Sequence, residues 1–259
     1  MGRATSEPDW KELLSSWDRQ QESFNPDRER RFGFMFDALE VSLPHRFTAL
    51  DLGSGPGSLS ARLLRRFPGG RVVAVDYDPV TRRIGQGALG RMGGRLTWVD
   101  AKLGAPGWVD RLPPGSFDAA LSTTALHWLT PRGLRSLYRD LGRRLRRGGI
   151  FLNGDYLPWG PTGRSLDRLA DRMWKLRVRE WRRGKPGGEW GAWEKWWESV
   201  EKMPALRPEF EERKRRAAGH PKHTDLSLRF HENALKRAGF RDVAVLSQDL
   251  GSRVLYARR

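Results

Sequence analysis

An apolar run at 47–51 leads straight into Gly53-Ser54-Gly55-Pro56-Gly57, and a helix-patterned stretch follows at 58–67. Glycines at alternate positions allow a strand to turn sharply into a helix and let a ligand press on bare backbone. The next hundred residues keep the same beat. Short runs rich in Val, Ala, Leu and Phe at 71–75, 96–99, 117–121 and 150–153 alternate with helical patterns that begin at Pro79 and near residue 132. Such alternation predicts a parallel sheet with helices on both faces.

Three segments lie outside this rhythm. Residues 9–23 and 27–41 place Trp10, Leu13, Leu14 and Trp17, then Phe32, Met35, Phe36 and Leu39, at helical spacing. Residues 156–226 carry seven tryptophans among many charges, with helical periodicity at 165–183 and 189–202. They are too aromatic for a linker and predict a helical lid inserted into the core. Beyond a helix at 229–238, the apolar runs 241–248 and 253–257 are joined by Asp249-Leu250-Gly251-Ser252, so short a connection that the two must pair antiparallel. The expected divisions are an N-terminal helical cap at 1–44, a Rossmann-like core at 45–155, the lid at 156–226, and a C-terminal helix and hairpin at 227–259 that complete the core.

Acids sharpen the glycine loop. Asp51 stands two residues before Gly53, where a pyrophosphate would meet a carboxylate and a cationic ligand would be welcome. Pro56 and Ser58 break G-x-G-x-x-G spacing, and the Gly-Lys-Ser/Thr ending of a phosphate loop is missing. Asp76 ends the second strand, 19 residues after Gly57, a spacing suited to accepting both ribose hydroxyls. Asp100 ends the third strand and is suited to an exocyclic amine. Carboxylates at three successive strand ends line the edge where open α/β sheets bind ligands.

These residues resemble the class I S-adenosylmethionine-dependent methyltransferases. The likeness covers about 45–155. It rests on Asp51-Leu52-Gly53-Ser54-Gly55-Pro56-Gly57, Val72-Val73-Ala74-Val75-Asp76, Val99-Asp100-Ala101, Phe117-Asp118-Ala119-Ala120-Leu121-Ser122 and Leu145-Arg146-Arg147-Gly148-Gly149-Ile150. The resemblance implies a doubly wound, seven-stranded α/β sheet whose last strand is antiparallel. It implies S-adenosyl-L-methionine as methyl donor and S-adenosyl-L-homocysteine as product. Asp51 and the loop with Gly53, Ser54, Gly55 and Gly57 would meet the methionine moiety. Asp76 would hold the ribose, Tyr77 would lie near the adenine, Asp100 would take its amine and Ala101 would add backbone contacts. Ser122 and Thr123 would stand beside the methionine end.

Methyl transfer is an in-line displacement at an activated carbon, so the protein mainly aligns the acceptor, excludes water and, where needed, takes a proton. The segment Ser122-Thr123-Thr124-Ala125-Leu126-His127-Trp128 resembles one in the small-molecule branch that includes trans-aconitate and malonyl-carrier carboxyl methyltransferases. His127 is the candidate catalytic group, as orienter or base, and Trp128 a pocket wall; both also suit plain packing. Trp17 and Arg31, with Phe24 and Arg28, would close over the cofactor from the N-terminal helices. Trp190, Trp193 and Trp197 share one helix face, which would pack the lid onto the sheet and roof part of the cavity. Arg164, Arg168, Arg172 and Arg179 either pair with an anionic substrate or stay solvated. His223, in His220-x-x-His223-x-Asp225 with His231 beyond, suits polar contact with substrate better than a metal, because the spacing matches no strong ligand pattern.

Charge supplies the rival reading. The chain of 259 residues has 48 basic and 31 acidic residues, a net of +17, and most of the excess lies beyond residue 130. This is compatible with an RNA-directed methyltransferase. An Asn/Asp-Pro-Pro-aromatic motif after the fourth strand is missing, and with no cysteine there is no C5-type nucleophile, so the common base-modifying DNA classes do not fit. The sequence predicts no membrane span or signal core, a cytoplasmic location, and a monomer or homodimer.

Overall fold

The computed structural model describes residues 7–183, 191–217, 224 and 226–259. Two helices lead: α1 (Trp10–Phe24), capped by the Asp9 carboxylate on the Glu12 N–H, and α2 (Arg28–Ser42). The core then alternates β1 (Thr48–Leu52), α3 (Ser58–Arg66), β2 (Arg71–Asp76), α4 (Pro79–Leu89), β3 (Leu96–Asp100), β4 (Phe117–Thr123), α5 (Pro131–Arg144) and β5 (Leu145–Tyr156). Both α4 and α5 start on Pro with a side-chain cap just before it: Asp78 accepts from Val80 and Thr81, and Thr130 from Gly133. The inserted helices are α6 (Arg164–Arg182), α7 (Ala192–Glu201) and α8 (Arg207–Ala217). The chain ends with α9 (Leu228–Arg237), β6 (Arg241–Asp249) and β7 (Ser252–Arg258).

These strands form one seven-stranded sheet in the order β3-β2-β1-β4-β5-β7-β6. β7 alone runs against its neighbours, pairing antiparallel with both β5 and β6. The expected doubly wound α/β sheet with its last strand reversed is what the chain adopts. One strand differs in extent. β5 was expected over 150–153 but leaves α5 directly and continues to Tyr156, with a register break between the Phe117 and Ala119 pairings.

Each face of the sheet is sealed by its own core. On one face Leu137, Tyr138 and Leu141 of α5 and Leu235 of α9 pack against Leu50, Val75 and Phe151. On the other, Phe32, Met35 and Leu39 of α2 and Leu59 and Leu63 of α3 cover Ala49, Ala74 and Leu152. A third cluster joins Trp10 and Leu13 of α1, Val80 and Ile84 of α4, Trp196 and Val200 of α7, and Phe210 of α8. Trp193, Trp196 and Trp197 of α7 therefore pack toward α1 and α4, not on the sheet as the lid's tryptophan spacing suggests. Trp17 meets Trp193, Trp196 and Trp197 at 5.5, 4.9 and 6.2 Å between ring centres. Among the described residues no helix is long and apolar enough to cross a membrane.

Candidate functional site

The carboxyl ends of β1, β2 and β3 gather the glycine loop and its acids. Gly53, Gly55 and Gly57 all have left-handed backbone, with φ of 71°, 53° and 85°. Two are also bound by space. A Cβ on Gly53 would fall 2.4 Å from that of Ala125, and one on Gly57 2.7 Å from the Trp98 ring. A Cβ on Gly55 would stand 3.6 Å from the Trp17 ring, ordinary contact distance, so α1 passes close over the loop. Gly53 and Ser54 both donate their N–H to the Val75 carbonyl, tying the loop to β2.

The three acids do different work. Asp51 is buried, and its Oδ2 accepts from the N–H and hydroxyl of Ser60 in the first turn of α3. Burial, aided by the charge of Asp76, pushes its carboxyl up to about 7. Asp76 accepts the Gly55 N–H at 2.6 Å and the Asp78 N–H at 2.7 Å. Burial and then the neighbouring Asp78 push it up to about 6. Asp100 is the most open of the three. Burial works against its charge, but hydrogen bonding from Arg216 and the charge of Arg82 outweigh that and hold it below the usual carboxylate range.

Beside Asp100 lies a cavity of about 320 Å³, lined among others by Tyr77, Asp100, Ala101, Trp108, Arg111 and Arg216. Of the expected nucleoside-binding residues, Tyr77, Asp100 and Ala101 thus share one space, while Asp76 stays on the Gly55 and Asp78 N–H groups beside it. The Ala101 N–H is given to the Asp76 carbonyl. Arg216, which sequence reasoning missed, enters from α8. Its two terminal nitrogens each donate at 2.7 Å to an oxygen of Asp100, and its guanidinium lies 4.7 Å from the centre of the Tyr77 ring.

A second group gathers where β4 and β5 end. Thr124 holds left-handed backbone, φ 48°, and the chain then turns through Leu126–Trp128. Strained positions of this kind cluster at functional sites. His127 Nδ1 lies 2.8 Å from Oδ1 of buried Asp155, and the Trp128 ring, half exposed, stands 5.2 Å from the imidazole. Burial opposes the Asp155 charge, but His127 and then Arg31 hold its carboxyl below the ordinary value. Asp155 was also missed, because it lies on the unexpected extension of β5. Ser122 gives its hydroxyl to the Leu52 carbonyl, whereas the buried Thr123 hydroxyl has no partner. Arg31 is buried and aimed from α2. Its Nε and one terminal nitrogen are unpaired, and burial pulls the guanidinium below its usual value. Such orphaned polar atoms are costly unless a ligand meets them.

The remaining expectations divide. Arg164, Arg168, Arg172 and Arg179 are solvent-exposed. His231 is a core residue: it bonds the Tyr138 hydroxyl at 2.7 Å, and burial presses it down to about 4. His223, His220, Asp225 and Trp190 lie outside the described residues. Among those described, no group of three His, Asp or Glu could hold a metal ion.

The residues present fit a nucleoside bearing a sulfonium. They offer an aromatic face, carboxylates for amine and hydroxyls, a glycine cradle, and buried Thr123 and Arg31 groups in want of partners.

Comparison with known proteins agrees. Residues 49–149 match the family described as "Methyltransferase domain". A trans-aconitate 2-methyltransferase of Azoarcus sp. is 32% identical over 166 residues, which is 64% of this chain and 60% of that protein. A malonyl-[acyl-carrier protein] O-methyltransferase of Geobacter sulfurreducens is 33% identical over 39% of this chain and 36% of its own length. The chain thus spans less than two thirds of these relatives. Among solved structures, an O-methyltransferase family protein from Burkholderia thailandensis superposes with a TM-score of 0.56 at 17% identity, over 93% of this chain and 58% of the other.

Proposed function

We propose, from the premise that the domain at residues 49–149 belongs to the class I S-adenosylmethionine-dependent methyltransferases, that this chain methylates an oxygen, nitrogen or carboxylate of a small molecule. The observation that carries the reading is the grouping of Tyr77, Asp100 and Ala101 around one cavity, with Asp76 at the neighbouring strand end bonded to the Gly55 N–H of the glycine loop. S-adenosylmethionine supplies a methyl group already activated by a sulfonium. Asp76 receives the ribose hydroxyls, Tyr77 presents its ring to the adenine, and Asp100 accepts the amine. Thr123 and the loop flank the methionine end.

His127 and Trp128 face the acceptor, with Trp17 and Arg31 contributing from the N-terminal helices. An imidazole whose Nδ1 is held by a buried carboxylate has a set ring orientation, so Nε2 is the edge that orients the acceptor or takes its proton. Arg31 suits an anionic group by its unpaired nitrogens.

A small acceptor is favoured over RNA by where the basic side chains go. Arg177, Arg213 and Arg216 are spent on Asp249, Asp78 and Asp100. The two named relatives are called methyltransferases of trans-aconitate and of a malonyl carrier. Melting-point shifts test the cofactor: S-adenosylhomocysteine raises the transition, whereas NAD and ATP do not. A panel of small carboxylates, phenols and amines, with a structured RNA beside them, tests the acceptor by S-adenosylhomocysteine released. Turnover of the RNA alone overturns the small-molecule reading.

A further inference from the structure

The last turn of α8 reaches across the opening of the nucleoside cavity. Arg216 is bound there by four oxygens of three residues. Both oxygens of Asp100 accept from it at 2.7 Å, the Tyr77 carbonyl accepts at 2.6 Å, and Glu212 one turn earlier pairs with it. Its guanidinium also lies over the Tyr77 ring. Three residues back, Arg213 donates to Asp78 at 2.6 Å and lies 4.0 Å from the Trp197 ring centre. Two consecutive acid-rich strand ends thus hold two arginines of one helix.

A guanidinium and an adenine edge make the same demands on a site. Each is a planar π-system with N–H donors along one rim; each is satisfied by an aromatic face and a carboxylate. Asp100 has two oxygens, and Arg216 takes both while Arg82 shares one. Three of the roughly four lone-pair positions of the carboxylate are thereby taken, and the ring face of Tyr77 is covered as well, so an adenine meets both partners in full only when Arg216 yields.

We propose that Arg216 competes with the cofactor's adenine for Asp100 and Tyr77, so that cofactor loading and release of the last turn of α8 are a single event. This rests on the methyltransferase reading and adds regulation of the same site. Release is transmitted inward. Phe210 of α8 packs against Trp197 and Trp197 against Trp17, whose ring stands over Gly55 of the loop with room for one methyl group between them. The helix that admits the adenine is thereby linked to the residues around the methionine end.

Calorimetric titration of the full chain with S-adenosylhomocysteine, at low and at high sodium chloride, tests the competition. Arg216→Ala binds roughly three- to tenfold tighter than the parent, the range expected for loss of a competing partly exposed bidentate pair. High salt screens that pair, so it tightens binding to the parent and leaves Arg216→Ala unchanged. Hydrogen exchange needs no variant: backbone amides near the end of α8 exchange faster at saturating S-adenosylhomocysteine. Weaker binding by Arg216→Ala overturns the proposal, since Arg216 would then be a cofactor ligand. Equal affinity, or α8 amides that slow or do not change, overturns it too. Failure of parent and variant alike to bind S-adenosylhomocysteine brings down the methyltransferase reading itself, an outcome distinct from the others.

Discussion

His127 Nδ1 and Asp155 Oδ1 lie 2.8 Å apart, joining the turn after β4 to the far end of β5. The carboxylate is buried and sits in the field of Arg31 as well, so its charge is matched from two elements. Asp155→Ala leaves Arg31 buried without that compensation. Denaturant unfolding should show a loss of about 3–5 kcal/mol, the cost of breaking a buried pair from one side. A loss under about 1 kcal/mol would mean the pair is dispensable to the fold.

Turnover separates His127 from its packing role. With an accepted substrate in hand, His127→Ala lowers kcat by about a hundredfold or more, while affinity for S-adenosylhomocysteine stays within a factor of about two. Equal losses in both would mark the imidazole as a prop for the loop.

Asp76 gives the cofactor site a pH signature. Its carboxyl, raised to about 6, is ionised at neutral pH and gains a proton in mild acid. A protonated carboxyl accepts ribose hydroxyls poorly, so S-adenosylhomocysteine affinity falls as the pH drops through 6. Asp76→Ala loses at least about tenfold at pH 7.5, as expected for hydrogen bonds to a charged acceptor. Asp76→Asn should show a flatter pH dependence in the same calorimetric series.

Asp51 acts on stability with the opposite convenience. Its folded carboxyl lies at about 7, above the value near 3.9 of an unfolded chain. The protonated form therefore favours the fold. That contribution is complete below about pH 4 and disappears as the pH climbs through 7. Asp51→Asn keeps an acceptor for Ser60 and has no such dependence. Relative to the parent it gains about 1–3 kcal/mol in urea unfolding between pH 5 and pH 8. Parallel curves for the two proteins would refute the assignment.

Gly53→Ala tests the loop. The substitution meets both a left-handed φ and a methyl group 2.4 Å from Ala125. Ala125 lies two residues from His127, so relief of the clash shifts the acceptor side together with the cofactor loop. The expected result is a loss of about 1–3 kcal/mol in stability and a weaker melting shift with S-adenosylhomocysteine.

Much of the sheet was legible because its cues are local. The Val-rich run at β2, the Pro-led starts of α4 and α5 and the alternating glycines each declare themselves within a few residues. The reversed β7 followed from the short hairpin connection and the family likeness. What escaped depends on partners remote in sequence. Asp155 was passed over because Asn153-Gly154-Asp155 carries polar and small residues that a strand pattern does not announce. They are buried here because α2 and the turn at His127 cover them. Arg216 is one arginine in a helix full of charge, and only the fold brings it 116 residues back to Asp100. The tryptophan spacing identified a packed face but not its neighbour, since α1 supplies that surface from the opposite end of the chain.

The tryptophans of α1 and α7 have a further consequence. Trp17 and Trp197 each meet Trp193, Trp196 and one another with ring centres 4.9–6.2 Å apart. Indoles at such separations exchange excitation and produce paired bands of opposite sign in ultraviolet circular dichroism. Because one of the four rings stands over Gly55 and another against Phe210, any rearrangement there would write itself into that spectrum, giving the molecule an optical gauge that requires no label.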